Sequence, residues 1–338
     1  MRDHMVQERP LPLACVFSVE GKSLTHAEKS LFSAAQPFGF ILFGRNCESR
    51  DQVRRLTNEL RSIVGWHCPI MIDQEGGRVA RLRAPDWPEF PSAKTYGDQI
   101  GGRDESEDES LAASVSGLDN LRRDMIHLAH MLIDVGIDSN CAPVCDVLFP
   151  ETHQVIGDRA YSSNPEIVAI AAAEVCRTFL DSGLQPIMKH LPGHGRAMAD
   201  SHHHLPVVNT SIEDLQKTDF LPFRELSKAS FSSQIWGMVA HIIYTEIDPD
   251  FPATLSSKVI NDIIRKEIGF KGLLFSDDLD MKALEKYGTI PERANLCLQA
   301  GCDIALYCWA KLDIMEQLAA ELPPLSAKSW ARWNFARS

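Results

Sequence analysis

The stretch GLQPIMKHLPGHG, residues 183–195, places a short apolar run directly against a lysine and a histidine. A parallel strand that is buried on both faces shows in a sequence as a continuous apolar run. Charge has no structural use at the end of such a strand, and yet QPIMKH ends on Lys189 and His190. We therefore interpret residues 185–190 as a buried strand whose carboxyl end opens onto a site.

Comparable apolar runs recur along the chain, between longer segments with helical periodicity. Eight such runs are present, at residues 13–19, 39–45, 69–73, 137–147, 185–190, 236–244, 272–278 and 302–308. The helical segments lie at residues 24–35, 51–64, 118–135, 165–182, 211–229, 256–268, 279–300 and 311–322. This alternation predicts an α/β fold, a (β/α)8 TIM-type barrel formed by a single domain over residues 1–338, with its core at about residues 13–322.

The composition is that of a globular protein without a basic surface for nucleic acid. Of the 338 residues, 44% are hydrophobic and 24% are charged, and the formal net charge is −12. Nucleic-acid-binding proteins usually carry a basic stripe, so we expect a small neutral or cationic substrate instead. The nine cysteines form no CxxC pair, and no signal peptide or membrane-spanning run is evident. We therefore expect a cytoplasmic protein with no membrane partner.

Three connections are too long to be simple turns: residues 74–116, 148–163 and 191–210. Each follows a predicted strand, so each is expected on the carboxyl-terminal face of the barrel, where active sites are built. The first connection contains the acidic run GGRDESEDES at residues 101–110, which we interpret as a solvated surface loop.

Polar residues stand at the carboxyl ends of five predicted strands, and a barrel gathers these ends at one mouth. They are Asp73, Asp146, Lys189, His190, His241, Asp277 and Asp278. Neighbouring residues on a strand point in opposite directions. We therefore expect Asp277 to face the mouth and Asp278 to serve the terminus of the following helix.

The loop KHLPGHGRAMADSHHHLP, residues 189–206, holds five of the twelve histidines. Asp200 precedes His202 by two residues, a spacing at which a turn lets the carboxylate meet the imidazole. Such a contact raises the pKa of the imidazole, which can then donate a proton near neutral pH and act as a base afterwards. A proton donor and a separate carboxylate are what retaining glycoside hydrolysis requires.

Several runs of this sequence resemble the barrel domain of glycoside hydrolase family 3. They are PFGFILFGRN, IDQEGGRVARL, GDRAY, KHLPGHGRAMADSHHHLP, AHIIYTEIDPDFPATLS and FSDDLDM. The resemblance extends in the family's order from about residue 13 to residue 310. It is closest to the β-N-acetylglucosaminidase branch, which acts in bacterial peptidoglycan recycling.

The resemblance implies a role for each matching residue. From the SDD and DSH motifs it implies Asp277 as nucleophile, His202 as general acid/base and Asp200 as the partner of His202. The substrate-binding residues that it implies are Asp73, Arg81, Arg159, Lys189 and His190. It implies no metal ion and no cofactor, although the additional His203 and His204 leave open whether the loop binds a metal.

A retaining exo-hydrolase is the activity that the resemblance implies. It would remove terminal, non-reducing β-linked N-acetylglucosamine from peptidoglycan fragments such as disaccharides with 1,6-anhydro-N-acetylmuramic acid. We expect a monomer that acts on this small carbohydrate. Four alternatives stay open: attack by the substrate's own acetamido oxygen, phosphorolysis, a metal-dependent amidohydrolase that uses His202 and His204, and a sugar-binding protein without catalysis.

Overall fold

The computed structural model describes residues 10–101, 107–150, 152, 154–197 and 205–337. Eight parallel strands close into a barrel, which confirms the predicted (β/α)8 TIM-type fold. We number them β1 to β8 in chain order: Leu13–Phe17, Pro37–Leu42, Ile70–Ile72, Ser139–Asn140, Gln185–Leu191, Trp236–Val239, Leu274–Asp278 and Ile304–Leu306. Each strand pairs with the next one along the chain, and β8 pairs with β1 to close the ring.

Alternate residues of each strand face the barrel interior and the surrounding helices. In β1, Ala14 and Val16 pack in the interior cluster, whereas Leu13, Cys15 and Phe17 pack in the outer cluster. Both clusters are apolar because the strands of such a barrel are covered on both faces. This double burial is the reason why the strands show in the sequence as continuous apolar runs.

Helices surround the barrel. The α-helices, numbered α1 to α10 in chain order, are His26–Ala35, Arg50–Val64, Ala93–Ile100, Glu107–Asp134, Pro165–Asp181, Ile212–Lys217, Leu221–Lys228, Ile290–Ala300, Leu312–Glu321 and Ala327–Arg337. A π-helix, Val259–Glu267, precedes β7, and a 3-10 helix, Lys282–Tyr287, follows it. Among the helices of the described ranges, none has both the length and the apolar character that crossing a membrane requires.

Two predicted helices are interrupted by residues that begin or break a helix. The predicted helix at 211–229 divides into α6 and α7, because Pro222 favours the start of a new helix. The helix predicted at 279–300 is wrong over its first part, where the structure has the 3-10 helix Lys282–Tyr287. Gly288, with a φ of 104°, separates the 3-10 helix from α8.

Two predicted strands are longer than those of the structure. Of residues 137–147, only Ser139 and Asn140 form a strand of the barrel. The strand predicted at 236–244 leaves the barrel after Val239. Its last part, Ile243–Tyr244, instead pairs in parallel with Val207–Val208, where the chain returns from the histidine-rich loop.

The interpretation of residues 101–110 as a surface loop is wrong for their second part. Helix α4 begins at Glu107, and residues 102–106 lie outside the described residues. Acidic residues suit the start of a helix, because the unpaired N–H groups there carry partial positive charge. A run of acidic residues is therefore compatible with a helix start as well as with a loop.

Helix α10 closes the amino-terminal end of the barrel. Trp333 is 5% exposed, and its ring centroid lies 5.0 Å from that of Phe38 and 5.3 Å from that of Trp236. Phe38 and Trp236 belong to the interior cluster and stand near the amino ends of β2 and β6. Helix α10, beyond residue 322, therefore adds Trp333 to the interior apolar cluster.

Replacing Trp333 with Ala is expected to lower the free energy of unfolding by about 3–5 kcal/mol, because the surrounding rings cannot fill the cavity that it leaves. Urea unfolding followed by circular dichroism measures this loss. The matched control is Ile170→Ala, since Ile170 is 49% exposed on α5 and its removal should cost less than about 0.5 kcal/mol. Equal losses from the two variants would show that α10 does not complete the core.

Candidate active site

A cavity of about 340 Å³ opens at the carboxyl ends of the barrel strands. Its volume lies in the range of small-molecule sites. The charged and histidine residues that line it are Arg45, Asp73, Glu75, Arg78, Arg81, Arg159, Lys189, His190, His194, Asp277 and Asp278. All six predicted site residues within the described ranges are in this set, so the fold brings them together from β5, β7 and the loops after β3 and β4.

Lys189 is a buried cation held between two carboxylates. It lies in β5, is 2% exposed, and its Nζ donates to Asp73 Oδ1 at 2.8 Å and to Glu75 Oε1 at 2.7 Å. Burial alone would lower the pKa of Lys189, but Asp73 and Glu75 outweigh this effect and raise the pKa above its ordinary value. The ammonium group is therefore a fixed positive charge in the cavity wall.

Two arginines extend this network. Arg159 donates from both Nε and NH2 to the Glu75 carboxylate at 2.8 Å, and Arg81 NH2 donates to Asp73 Oδ2 at 3.1 Å. Burial alone would raise the pKa of Glu75, but Arg159 and Lys189 lower it to about 2. The Nε atom of Arg81 is buried and has no hydrogen-bond partner among the described residues.

Asp146 lies behind the cavity and orients His190. Its Oδ2 accepts from His190 Nδ1 at 2.7 Å, and its Oδ1 accepts from the backbone N–H of His194 at 2.7 Å. Burial alone would raise the pKa of Asp146, but His190 and His194 lower it to about 2. Because Asp146 is ionised, it accepts a hydrogen bond from the Nδ1–H group of His190, and this leaves the Nε2 atom of His190 for other partners.

Asp146 also makes the stability of the protein depend on pH. Its pKa of about 2 in the folded protein lies below the value of about 3.9 expected for an unfolded chain, so its ionised form favours folding. The contribution, about 2 kcal/mol, is complete above about pH 5 and is lost as the pH falls towards 2. Asp146→Asn should therefore lower the free energy of unfolding, measured by urea titration, by more at pH 7 than at pH 3.5.

The control for this experiment is Asp98→Asn. Asp98 is exposed and pairs only with Lys94 on the surface of α3, so its replacement should change the free energy by less than about 1 kcal/mol at both pH values. A loss from Asp146→Asn that is the same at pH 7 and pH 3.5 would contradict the proposed contribution of the ionised carboxylate.

Asp277 and Asp278 are the last two residues of β7, and both line the cavity. Asp277 Oδ1 accepts from the backbone N–H of Asp278 at 2.8 Å. The Asp278 carboxylate accepts from the backbone N–H of Cys308 at 3.2 Å and from Trp309 Nε1 at 2.7 Å. Burial raises the pKa of Asp278 to about 6. The expectation that Asp278 serves a helix terminus is wrong, because the chain turns after β7 and its next helix begins only at Lys282.

His241 does not reach the mouth of the barrel, contrary to the expectation. It is fully buried and is absent from the cavity lining. Its Nε2 donates to the carbonyl oxygen of Asp278 at 2.9 Å, and its Nδ1 lies 2.8 Å from Thr254 Oγ1. Strand β6 ends at Val239, so the side chain of His241 supports the end of β7 rather than a ligand.

Several residues of the cavity lining were not predicted, among them Glu75, Arg45 and Trp309. Arg45 follows β2 and donates from NH2 to the carbonyl oxygen of Cys308 at 2.6 Å. Arg45 ends an apolar run, as Lys189 does. The pattern that predicted Lys189, a charged residue at the end of an apolar run, therefore also indicates Arg45. Glu75 stands three residues after the end of β3, and Trp309 follows the eighth apolar run. Neither Glu75 nor Trp309 lies at the end of a predicted strand, and this pattern selects only residues at strand ends.

The predicted residues Asp200 and His202 lie outside the described residues, as do His203 and His204. Ala197 and Leu205 are the described residues that flank this segment. Across the described ranges, no group of three or more His, Cys, Asp or Glu side chains is arranged to hold a metal ion.

A closed (β/α)8 barrel with carboxylates and a buried cation at its carboxyl-terminal mouth defines a class: barrel enzymes that act on polar small molecules. Residues 13–328 match the glycosyl hydrolase family 3 N-terminal domain. A β-hexosaminidase from Nitrosomonas eutropha is 37% identical over 294 residues, which cover 87% of this chain and 80% of that protein. A β-hexosaminidase from Thioalkalivibrio sulfidiphilus is 35% identical over 322 residues, which cover 94% and 88%.

Solved structures agree with these relatives. The crystal structure of NagZ from Neisseria gonorrhoeae in complex with N-trifluoroacetyl-D-glucosamine superposes with a TM-score of 0.86 at 30% identity. The match covers 97% of this chain and 90% of that one. The chain belongs to glycosyl hydrolase family 3 and is a glycoside hydrolase of its β-N-acetylglucosaminidase branch. This assignment replaces the alternatives of an amidohydrolase and of a sugar-binding protein without catalysis.

Proposed function

We propose that this protein is a retaining exo-β-N-acetylglucosaminidase that releases terminal N-acetylglucosamine from peptidoglycan fragments. The observation that carries the proposal is the position of Asp277, which lines the same cavity as Lys189 and its ion-pair network. A carboxylate at a strand end, facing a wall of fixed hydrogen-bonding groups, suits attack on a held sugar ring. The related NagZ structure, solved with an N-acylated glucosamine, supports the choice of sugar.

The binding groups in this proposal are Asp73, Arg81, Arg159, Lys189 and His190, which would hold the hydroxyl and acetamido groups of the sugar. Each already has a charged partner, so little reorganisation is needed when the sugar binds. A sugar that lacks one of the matching hydroxyl groups would leave a buried polar group unpaired. This penalty would provide the specificity.

The chemistry would proceed in two steps. Asp277 attacks the anomeric carbon while His202 protonates the glycosidic oxygen, so the bond to the leaving group breaks and an ester to Asp277 forms. A water molecule then gives a proton to His202 and attacks the same carbon, which frees Asp277 and releases the sugar as its β-anomer. The roles of His202 and of its partner Asp200 rest on the family motif. No metal ion or cofactor enters the proposed steps.

We place the enzyme in the bacterial cytoplasm, acting as a monomer on fragments that contain 1,6-anhydro-N-acetylmuramic acid. All nine cysteines are free thiols, and seven of them are buried, which supports a reducing compartment. Release of N-acetylglucosamine from the disaccharide with 1,6-anhydro-N-acetylmuramic acid, with and without its peptide, tests the substrate. Light scattering coupled to gel filtration tests the monomer.

The reaction itself is tested with a panel of 4-nitrophenyl glycosides and proton NMR of the first product. We expect the β-N-acetylglucosaminide to be cleaved faster than the β-N-acetylgalactosaminide and the β-glucoside, with the β-anomer of the sugar appearing first. Initial release of the α-anomer would exclude retention. A sugar phosphate formed in phosphate buffer would assign phosphorolysis instead.

A further inference from the structure

Trp309 is the most exposed large apolar side chain in the described part of the chain, and it stands at the catalytic cavity. It is 58% exposed and lines the cavity together with Asp277 and Asp278. A single exposed apolar side chain is common at a protein surface, but this one stands at the catalytic cavity, where a ligand can cover it. The side chain is therefore available to a molecule that enters the cavity.

The position of the indole ring is fixed from two sides. Its Nε1 donates to Asp278 Oδ2 at 2.7 Å, and the next residue but one, Lys311, forms an ion pair with Asp280 at 3.0 Å. Between them, Ala310 has a φ of 57°, a left-handed conformation that is unfavourable for alanine. The structure thus holds Trp309 beside the end of β7 at the expense of local backbone strain.

Trp309 faces the polar wall of the cavity from the opposite side of the barrel. The polar wall follows β3, β4 and β5, and it includes Asp73, Arg159 and Lys189. Trp309 follows β8, which lies opposite β4 in a ring of eight strands. Asp277 lies near the carboxyl end of β7, which is the strand next to β8. The cavity therefore has a polar side, an aromatic side and a carboxylate near the aromatic side.

This arrangement, together with the proposed function, determines which part of the substrate reaches Trp309. When the polar wall holds the terminal sugar, its anomeric carbon must face Asp277. The leaving group extends from that carbon towards the side of the cavity that carries Trp309. An indole ring is suited to stack on the apolar face of a sugar ring in this position.

We propose that Trp309 is a specificity-determining residue that stacks on the ring of the leaving group and so favours leaving groups that are themselves sugars. The inference rests on the proposed function and adds a second binding subsite to it. Stacking acts on the leaving group alone, so its loss should affect substrates with a ring in that position more than substrates without one.

The experiment compares kcat/KM for N,N′-diacetylchitobiose, whose leaving group is a sugar, with that for methyl β-N-acetylglucosaminide. In Trp309→Ala the loss for the disaccharide should exceed the loss for the methyl glycoside by on the order of tenfold. Trp309→Phe keeps a ring but removes the bond from Nε1 to Asp278, and it should retain most of the preference. The matched control is Phe251→Ala, because Phe251 is 39% exposed, stacks on Tyr287 and does not line the cavity.

Equal losses for both substrates in Trp309→Ala, or no loss for either, would overturn the proposal. A preference that Trp309→Phe loses as completely as Trp309→Ala would also overturn it, since the effect would then depend on the bond to Asp278 and not on the ring. A wild-type enzyme that cleaves neither substrate would instead contradict the proposed function. The two failures are therefore distinguishable.

Discussion

Asp277→Ala is expected to lower kcat by about 10⁴-fold or more while the protein stays folded, because the variant has no group to form the glycosyl ester. The side chain lies near the carboxyl end of β7 and lines the cavity rather than the apolar core of the barrel, so we expect the variant to keep the fold. Steady-state hydrolysis of 4-nitrophenyl β-N-acetylglucosaminide measures the loss, and circular dichroism checks the fold.

The product that Asp277→Ala forms in the presence of azide is a second test of this prediction. In Asp277→Ala the small anion can enter the space left by the carboxylate and attack the anomeric carbon from the same side, so the product should be the α-glycosyl azide. The matched control is Asp313→Asn, an exposed carboxylate in the first turn of α9, which should keep kcat within about twofold. Activity near the wild-type level in Asp277→Ala would contradict the assignment of the nucleophile.

Lys189→Met is expected to affect both stability and activity. The ammonium group is buried between Asp73 and Glu75, so its removal leaves two carboxylates close together with less compensating charge. Breaking a buried ion pair in this way costs about 3–5 kcal/mol in free energy of unfolding. We also expect kcat/KM to fall by about 10²-fold or more, because the sugar loses a charged hydrogen-bond donor.

The control for Lys189→Met is Lys22→Met. Lys22 forms an exposed ion pair with Glu48, and such pairs contribute less than about 1 kcal/mol. Urea unfolding and hydrolysis kinetics on both variants separate the buried lysine from the exposed one. If Lys189→Met unfolds at the same urea concentration as Lys22→Met, the negative charges of Asp73 and Glu75 do not need Lys189 to balance them. This result would contradict the prediction.

The barrel strands could be predicted from the sequence because burial on both faces makes them continuously apolar. Helix α3 could not, because its interior contains Gly97, which weakens a helical pattern. A Cβ atom at Gly97 would lie 1.7 Å from the carbonyl oxygen of Tyr161, so the glycine serves a tertiary contact. Helix α10 follows the eighth unit, and its role in closing the barrel depends on where Trp333 lies in space.

The site residues likewise divide into those that a sequence pattern indicates and those whose place depends on tertiary contacts. Asp73, Lys189 and Asp277 could be predicted because a barrel gathers the polar residues at its strand ends in one mouth, whereas His241, which the same pattern selected, supports the end of β7. Glu75 and Trp309 could not, because their places in the cavity depend on the path of the loops after β3 and β8. Loop paths are determined by tertiary contacts, such as the bond from Trp309 to Asp278, that no local pattern encodes.

As the proposed nucleophile, Asp277 forms a covalent bond with the sugar. The most direct measurement is mass spectrometry of the peptides of the enzyme after inactivation by a 5-fluoro derivative of N-acetylglucosamine with a good leaving group. We expect one sugar per protein, attached to Asp277. A label on another carboxylate, such as Asp278 or Asp73, or an active enzyme that turns over the reagent without ever carrying a sugar, would contradict it.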